Sequence, residues 1–157
     1  DKLFERLSLA LAYLDRSGQW ELLARSYNLL AITSVNRGNA PLAMDYYLSA
    51  LSYCEKYHMQ DVGIIVNMNI GALYNWLGEY SQAQQYYEIA YQTLGMTERN
   101  PDYYTYLLTY YIGIGNTYLY REFPEKASVY IQKAEEECRD RLGKIEEIAL
   151  FCFKARG

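Results

Sequence analysis

The chain has 157 residues, of which 51% are hydrophobic and 22% are charged, a composition that supports a buried core and excludes intrinsic disorder. Its net charge is −4, with acidic and basic residues mixed along the chain, so a nucleic-acid phosphate backbone is a poor candidate partner. Nineteen tyrosines dominate the aromatic residues, and tyrosine suits helical layers close to water because its ring can pack while its hydroxyl stays hydrated.

Periodic apolar residues predict eight helices. In chain order they cover residues 2–16, 20–37, 40–57, 61–77, 81–94, 102–121, 124–140 and 143–155. The segment from Gly95 to Pro101 contains a glycine and an Asn-Pro pair, which predict a loop.

These helices belong to an internal repeat. Ala10, Ala50, Ala90 and Ala134 follow one another at intervals of 40, 40 and 44 residues, each preceded at the same distances by small or apolar side chains. A period in this range is typical of stacked helical arrays, whose units bury their apolar faces against their neighbours. We therefore predict one domain over residues 1–157, with repeats at about 20–57, 61–94 and 102–140 and partial repeats at 1–18 and 143–157.

The second repeat reads Asn67-x-x-Ile70-Gly71-x-x-Tyr74 and then Ala83-x-x-x-Tyr87-x-x-Ala90. This pattern resembles the tetratricopeptide repeat (TPR), a helix-turn-helix unit with the signature W-x-x-L-G-x-x-Y followed by A-x-x-x-F. The resemblance implies an all-α fold, a right-handed superhelix of antiparallel helix pairs, or α-solenoid. The signature tryptophan is replaced by Tyr27, Asn67 and Tyr111. The period also exceeds the usual length of about 34 residues, so each helix should be longer by about one turn.

Small residues in the first helix of each repeat predict close helix packing. Ala31, Gly71 and Gly115 should let the two helices of a pair approach one another. Gly38 and Gly78 are expected to end first helices in the left-handed conformation. The gap toward the next pair should be filled by larger residues of the second helices, Tyr47, Tyr87 and Ile131.

The family resemblance also implies a ligand groove, because the first helices of successive TPR units line a concave surface. An asparagine amide can donate to and accept from a peptide backbone together, and five asparagines fall on inward positions. These side chains should point away from the interhelix core; the alternative is that they are merely polar residues on a solvated face. Arg25 is the only basic residue among the inward positions, so the carboxylate clamp of chaperone-binding TPRs is missing. The candidate groove residues are Asn28, Ile32, Asn36, Met68, Asn69, Asn75, Trp76, Asn116 and Tyr120.

The long period is similar to that of TPR arrays in bacterial signalling proteins, which precede diguanylate cyclase (GGDEF), histidine kinase or DNA-binding output domains. This resemblance implies a regulatory region that binds a protein or peptide. Two alternatives stay open, the peptide-pheromone receptor region of a transcriptional regulator and a passive assembly scaffold. The chain lacks an initiator methionine and starts within a repeat, so we expect a piece of a longer protein. Its cut ends offer surfaces for self-association at Leu3, Leu7, Ile148 and Phe151.

Targeting and cysteine patterns predict a cytoplasmic protein without membrane association. No apolar run approaches the roughly 20 residues of a membrane-spanning helix, and the first residues do not form a signal peptide. Cys54, Cys138 and Cys152 lack C-x-x-C spacing, so neither disulfides nor a zinc site is expected.

Candidate catalytic residues are scarce. His58 is the only histidine, and no cysteine or carboxylate cluster lies at ligand spacing from it, so a turn residue at the solvent edge is the simplest interpretation. Gly113 and Gly115 superficially resemble a phosphate loop, but no strand precedes them and no Lys-Ser/Thr follows. The sequence therefore predicts neither an enzyme nor a cofactor-binding protein.

We expect the purified chain to bind no metal or nucleotide and to catalyse no reaction, because the necessary clusters are missing. Elemental analysis and thermal-shift measurements with ATP check this. Stoichiometric zinc, or a shift with ATP that is lost on substitution of Gly113 or Gly115, would contradict it.

Overall fold

The structure is all-α. The computed structural model describes residues 2–97, 102–141 and 143. This part of the chain forms seven α-helices: α1 (Lys2–Arg16), α2 (Trp20–Asn36), α3 (Ala40–Lys56), α4 (Gln60–Trp76), α5 (Tyr80–Met96), α6 (Tyr103–Tyr120) and α7 (Pro124–Cys138). A short 3-10 helix, Arg139–Arg141, follows α7. None of the helices described is long and apolar enough to span a bilayer.

The chain divides into two compact units, residues 1–66 and 67–157, with the division inside α4. Consecutive helices pack as antiparallel pairs within each unit. In the first unit α2 packs against α1 and α3, and in the second unit α6 packs against α5 and α7.

The predicted helices are confirmed for the first seven, each to within two residues at either end. The predicted loop begins later than expected, because α5 continues through Gly95 to Met96. The helix ends where the Thr97 hydroxyl donates to the Leu94 carbonyl. The eighth predicted helix, 143–155, falls almost wholly outside the described residues. Ile148, Phe151 and the side chain of Leu3 also lie outside them, and Leu7 is half-buried.

A 20-residue register explains the long period. Helices α2 to α5 each have 17 residues. They begin at residues 20, 40, 60 and 80, so a turn of three residues separates each from the next. Two such helices with their turns make one repeat of 40 residues, and each helix has the extra length that the sequence predicts.

The same turn ends α1, α2, α3, α4 and α6. In each, the second turn residue has a positive φ, at Gly18, Gly38, His58, Gly78 and Glu122. The next residue donates its N–H to a carbonyl five residues earlier, at 2.9 to 3.1 Å, which is the Schellman arrangement. The left-handed conformation predicted for Gly38 and Gly78 is confirmed, and His58 is an exposed turn residue as predicted.

Core positions follow the repeat. Ala50, Ala90 and Ala134 have no exposed surface. Ala31 and the alanines of the second helices that face the first helices are also fully buried. Ala10 is exposed, because α1 packs against α2 on one side and nothing else in the described part of its unit covers it.

A tyrosine hydroxyl links two helices in each unit. In the first unit Tyr53 of α3 donates to Asp15 Oδ1 of α1 at 2.9 Å. In the second unit Tyr111 of α6 donates to Glu137 Oε1 of α7 at 2.8 Å.

The turns generate a stability prediction. A non-glycine residue in the left-handed region costs about 1 kcal/mol or more, so His58→Gly and Glu122→Gly should each raise the free energy of unfolding by about 1 kcal/mol. Gly38→Ala should lower it by a similar amount, about 1 kcal/mol, as the matched control. Urea denaturation followed by far-UV circular dichroism measures all three, and equal midpoints would contradict the shared turn geometry.

Candidate functional site

The solvent-facing residues of α6 form one stripe. Its most exposed residues are Thr109 and Tyr120, and the half-buried Ile112 and Asn116 lie between them. Their spacings of three and four residues place all four on one side of a helix. Most of the remaining central residues of α6 are buried.

The part of α4 that belongs to the second unit carries a corresponding stripe. Ala72 and Trp76 are exposed and Asn69 is half-buried, again at spacings of three and four residues. Trp76 is 61% exposed and Tyr120 on α6 is 55% exposed, so helix packing leaves most of both aromatic side chains in solvent.

A hydrogen bond between the helices brings the two stripes side by side. The Asn75 side chain donates from Nδ2 to the Gly113 carbonyl at 3.4 Å. Asn75 and Gly113 are both buried, so the contact places α4 and α6 next to one another beneath the two stripes. We call the combined surface the α4–α6 face; it consists of Asn69, Ala72, Trp76, Thr109, Ile112, Asn116 and Tyr120.

The ring of Tyr87, on α5, sets the spacing beneath this face. Tyr87 is 4% exposed and contacts Gly71 of α4 and Gly113 of α6. A Cβ atom would lie 2.9 Å from the ring at Gly71 and 2.3 Å from it at Gly113, both shorter than van der Waals contact. The close packing predicted for Gly71 therefore involves Tyr87. Gly113, which the repeat alignment places at the position of the groove candidate Asn69, is instead buried against the same ring.

Asn75 is a buried polar residue that contacts the Tyr87 side chain. Burial and the nearby Tyr120 hydroxyl raise the pKa of Tyr87, and a hydrogen bond from the Asn75 side chain offsets part of that shift. Asn75 is 8% exposed, and its Oδ1 has no hydrogen-bond partner within the described part of the chain. An unpaired buried acceptor costs stability, so side-chain packing rather than complete hydrogen bonding holds this amide.

Two predicted groove residues, Met68 and Asn75, are buried, so the expectation that they point away from the core is wrong. They share one side of α4 with Gly71, at spacings of three and four residues, and that side packs inward at Tyr87. Of the other candidates on α4 and α6, Trp76 and Tyr120 are exposed, and Asn69 and Asn116 are half-buried. In the first unit, Asn28 and Ile32 on α2 are half-buried and Asn36 is exposed.

The structure also contains two open grooves that sequence reasoning missed. One, of about 580 Å³, adjoins the parallel rings of Trp20 and Tyr57 in the first unit. The other, of about 530 Å³, lies among α5, α6 and α7. Tyr110, Ile114 and Tyr118 line it at four-residue spacing, a pattern visible in the sequence. Lysine ammonium groups lie 5.6 Å from the Tyr118 ring and 5.5 Å from the nearby Tyr130 ring, so intramolecular cation–π contacts already use both rings.

The cysteines whose structure is described, Cys54 and Cys138, are buried free thiols. Burial raises the pKa of the Cys54 thiol to about 11 and that of Cys138 to about 12, which keeps both protonated at neutral pH. Among the described residues, no three His, Cys, Asp or Glu side chains converge as metal ligands.

Comparison with protein-family models, with curated proteins and with solved structures finds no match in any of the three.

The Tyr87 contact predicts opposite effects at three helical glycines. Gly113→Ala should lower the free energy of unfolding by about 1 to 3 kcal/mol, because the ring, contacted from both sides, has little room to move, and Gly71→Ala should cost less. Gly95→Ala meets no atom within 4 Å and should stabilise α5 by about 0.5 to 1 kcal/mol.

Urea denaturation of the single variants and of Gly113→Ala in a Tyr87→Leu background measures the coupling. If Gly113→Ala cost as much in the Tyr87→Leu background as in the wild type, the ring would not be what the added methyl group meets.

Proposed function

We propose that this chain is a polypeptide-binding module of the tetratricopeptide-repeat type and that the α4–α6 face is its binding surface. Antiparallel helix pairs, the 40-residue period and the repeated turn support the repeat assignment, and a TPR-like superhelix is part of the proposal. The two stripes come from first helices of successive repeats, which are the helices that line the groove in TPR proteins.

The observation that carries the proposal is the exposure of Trp76 and Tyr120 on helices that are otherwise largely buried. Large aromatic side chains contribute most of the binding energy in many interfaces, because they bury much area with little loss of conformational entropy. The Tyr120 ring stacks on the Tyr80 ring of α5, with 6.3 Å between the ring centres, and this contact still leaves more than half of the Tyr120 side chain exposed. A ligand on the α4–α6 face would cover both.

Amide groups supply the polar part of the surface. The Asn116 side chain makes no hydrogen bond within the described part of the chain, and it lies one turn from Tyr120. Its amide can donate to and accept from a ligand peptide group. Each such bond contributes only about 1 kcal/mol net, so the aromatic side chains should dominate affinity.

We place the module in the regulatory region of a multidomain signalling protein, such as one with a diguanylate cyclase output domain. This part of the proposal rests on the resemblance of its long period to those TPR arrays.

Peptides of about twelve residues, selected from a phage-displayed random library on the immobilised chain, test the binding surface. Trp76→Ala should weaken a selected peptide about tenfold or more, and Asn116→Ala about fivefold. Val129→Ala, an exposed apolar position on α7, is the matched control and should leave affinity unchanged.

Fluorescence polarisation measures the affinities, and denaturation checks that the exposed substitutions shift stability by no more than about 0.5 kcal/mol. Selected peptides that bind Trp76→Ala and Val129→Ala equally well would refute the assignment of this face.

A further inference from the structure

The helices that form the α4–α6 face carry no formal charge in the second unit. Helix α6 contains no Asp, Glu, Lys, Arg or His in its 18 residues, and neither does α4 from Asn67 to Trp76. The chain as a whole is 22% charged, and six of the 15 residues of α7 are acidic or basic. Absence of charge is therefore a local property of α6 and of residues 67–76 of α4.

The charged residue next to Tyr120 in the sequence is held by contacts to α5 and to the turn before α7. Arg121 follows Tyr120 directly, but its Nη1 donates to Gln84 Oε1 on α5 at 3.3 Å. Its guanidinium also lies 5.5 Å from the centre of the Phe123 ring in the turn before α7. The hydrogen bond and the ring contact hold the Arg121 charge toward α5 and α7.

A neutral face selects against a charged ligand. A carboxylate or ammonium group placed on these stripes would lose hydration and meet no charged side chain of α6 or of residues 67–76, and that desolvation is costly. The Asn116 amide can instead pair with uncharged groups, and Ile112 and Trp76 offer apolar contacts. The Thr109 hydroxyl donates to the Thr105 carbonyl at 2.8 Å, so it can only accept from a ligand. Complementarity then favours a ligand without charge at the points of contact.

We propose, building on the binding surface proposed above, that the α4–α6 face binds an uncharged polypeptide segment. Its apolar or aromatic side chains pack on Trp76 and Tyr120, and its main-chain amides hydrogen-bond to the face through Asn116. Recognition of this kind does not depend on long-range charge attraction, so it is insensitive to salt.

Substitutions at Ala72, an exposed residue within the face, isolate the effect of charge. Ala72→Glu and Ala72→Gln add side chains of the same size and differ only in charge. For a library-selected peptide that requires Trp76, Ala72→Glu should weaken binding at least about tenfold more than Ala72→Gln. Val129→Glu places the same charge on α7 and should change affinity less than about twofold.

Salt provides the second measurement. Affinities of the Trp76-dependent peptides should change less than about twofold between roughly 0.05 and 0.5 M NaCl, a range over which the screening length falls severalfold. Their sequences should be depleted in Asp, Glu, Lys and Arg relative to the library.

The possible failures are distinguishable. Trp76-dependent peptides that are rich in charged residues and lose more than about tenfold in affinity at high salt would overturn the uncharged ligand while leaving the binding surface in place. Equal effects of Ala72→Glu and Ala72→Gln would do the same. Peptides that ignore Trp76→Ala would overturn the surface itself, and the uncharged ligand with it.

Discussion

The arrangement of the second unit depends on the contact of one tyrosine ring with two glycines. Tyr87 meets Gly71 and Gly113 so closely that neither position has room for a Cβ atom. Glycine lowers helix stability by roughly 1 kcal/mol relative to alanine, so α4 and α6 each give up intrinsic stability to admit this ring. The ring in return brings the two helices to the distance at which Asn75 reaches the Gly113 carbonyl. The alignment of the exposed stripes is thus a consequence of core packing.

Helix positions were predictable because length, turn chemistry and apolar pattern agree along the chain. The glycines at 38 and 78 mark the turns, and the 40-residue interval between the repeats sets the helix lengths. The left-handed conformation of His58 and Glu122 was not predictable from residue type, because neither residue favours it. The Schellman hydrogen bonds hold both residues in that conformation, since they satisfy carbonyls that the end of a helix leaves unpaired.

The candidate site was predictable only in part, because neighbouring residues on a helix point about 100° apart. Trp76 is exposed while Asn75 is buried, and the family pattern placed both in one groove. The burial of Gly113 was likewise not predictable from the repeat pattern. Its counterpart in the repeat alignment is Asn69, so nothing in the repeat pattern indicated a contact with an aromatic ring. Such distinctions follow from how a particular ring packs between particular helices, which a repeat signature does not specify.

Burial alone does not explain why the exposed stripe of α6 carries no charged side chain. A helix that is buried on most sides must exclude charge there, which accounts for the apolar residues Leu107, Leu108 and Ile114 on the buried sides of α6. Its exposed stripe is under no such constraint, because charged side chains on a solvated stripe cost little, as on α7. Thr109, for example, is exposed, so lysine or glutamate at that position would be compatible with the helix. Folding therefore leaves the chemistry of this stripe undetermined, and recognition of an uncharged segment is a function that its residues suit.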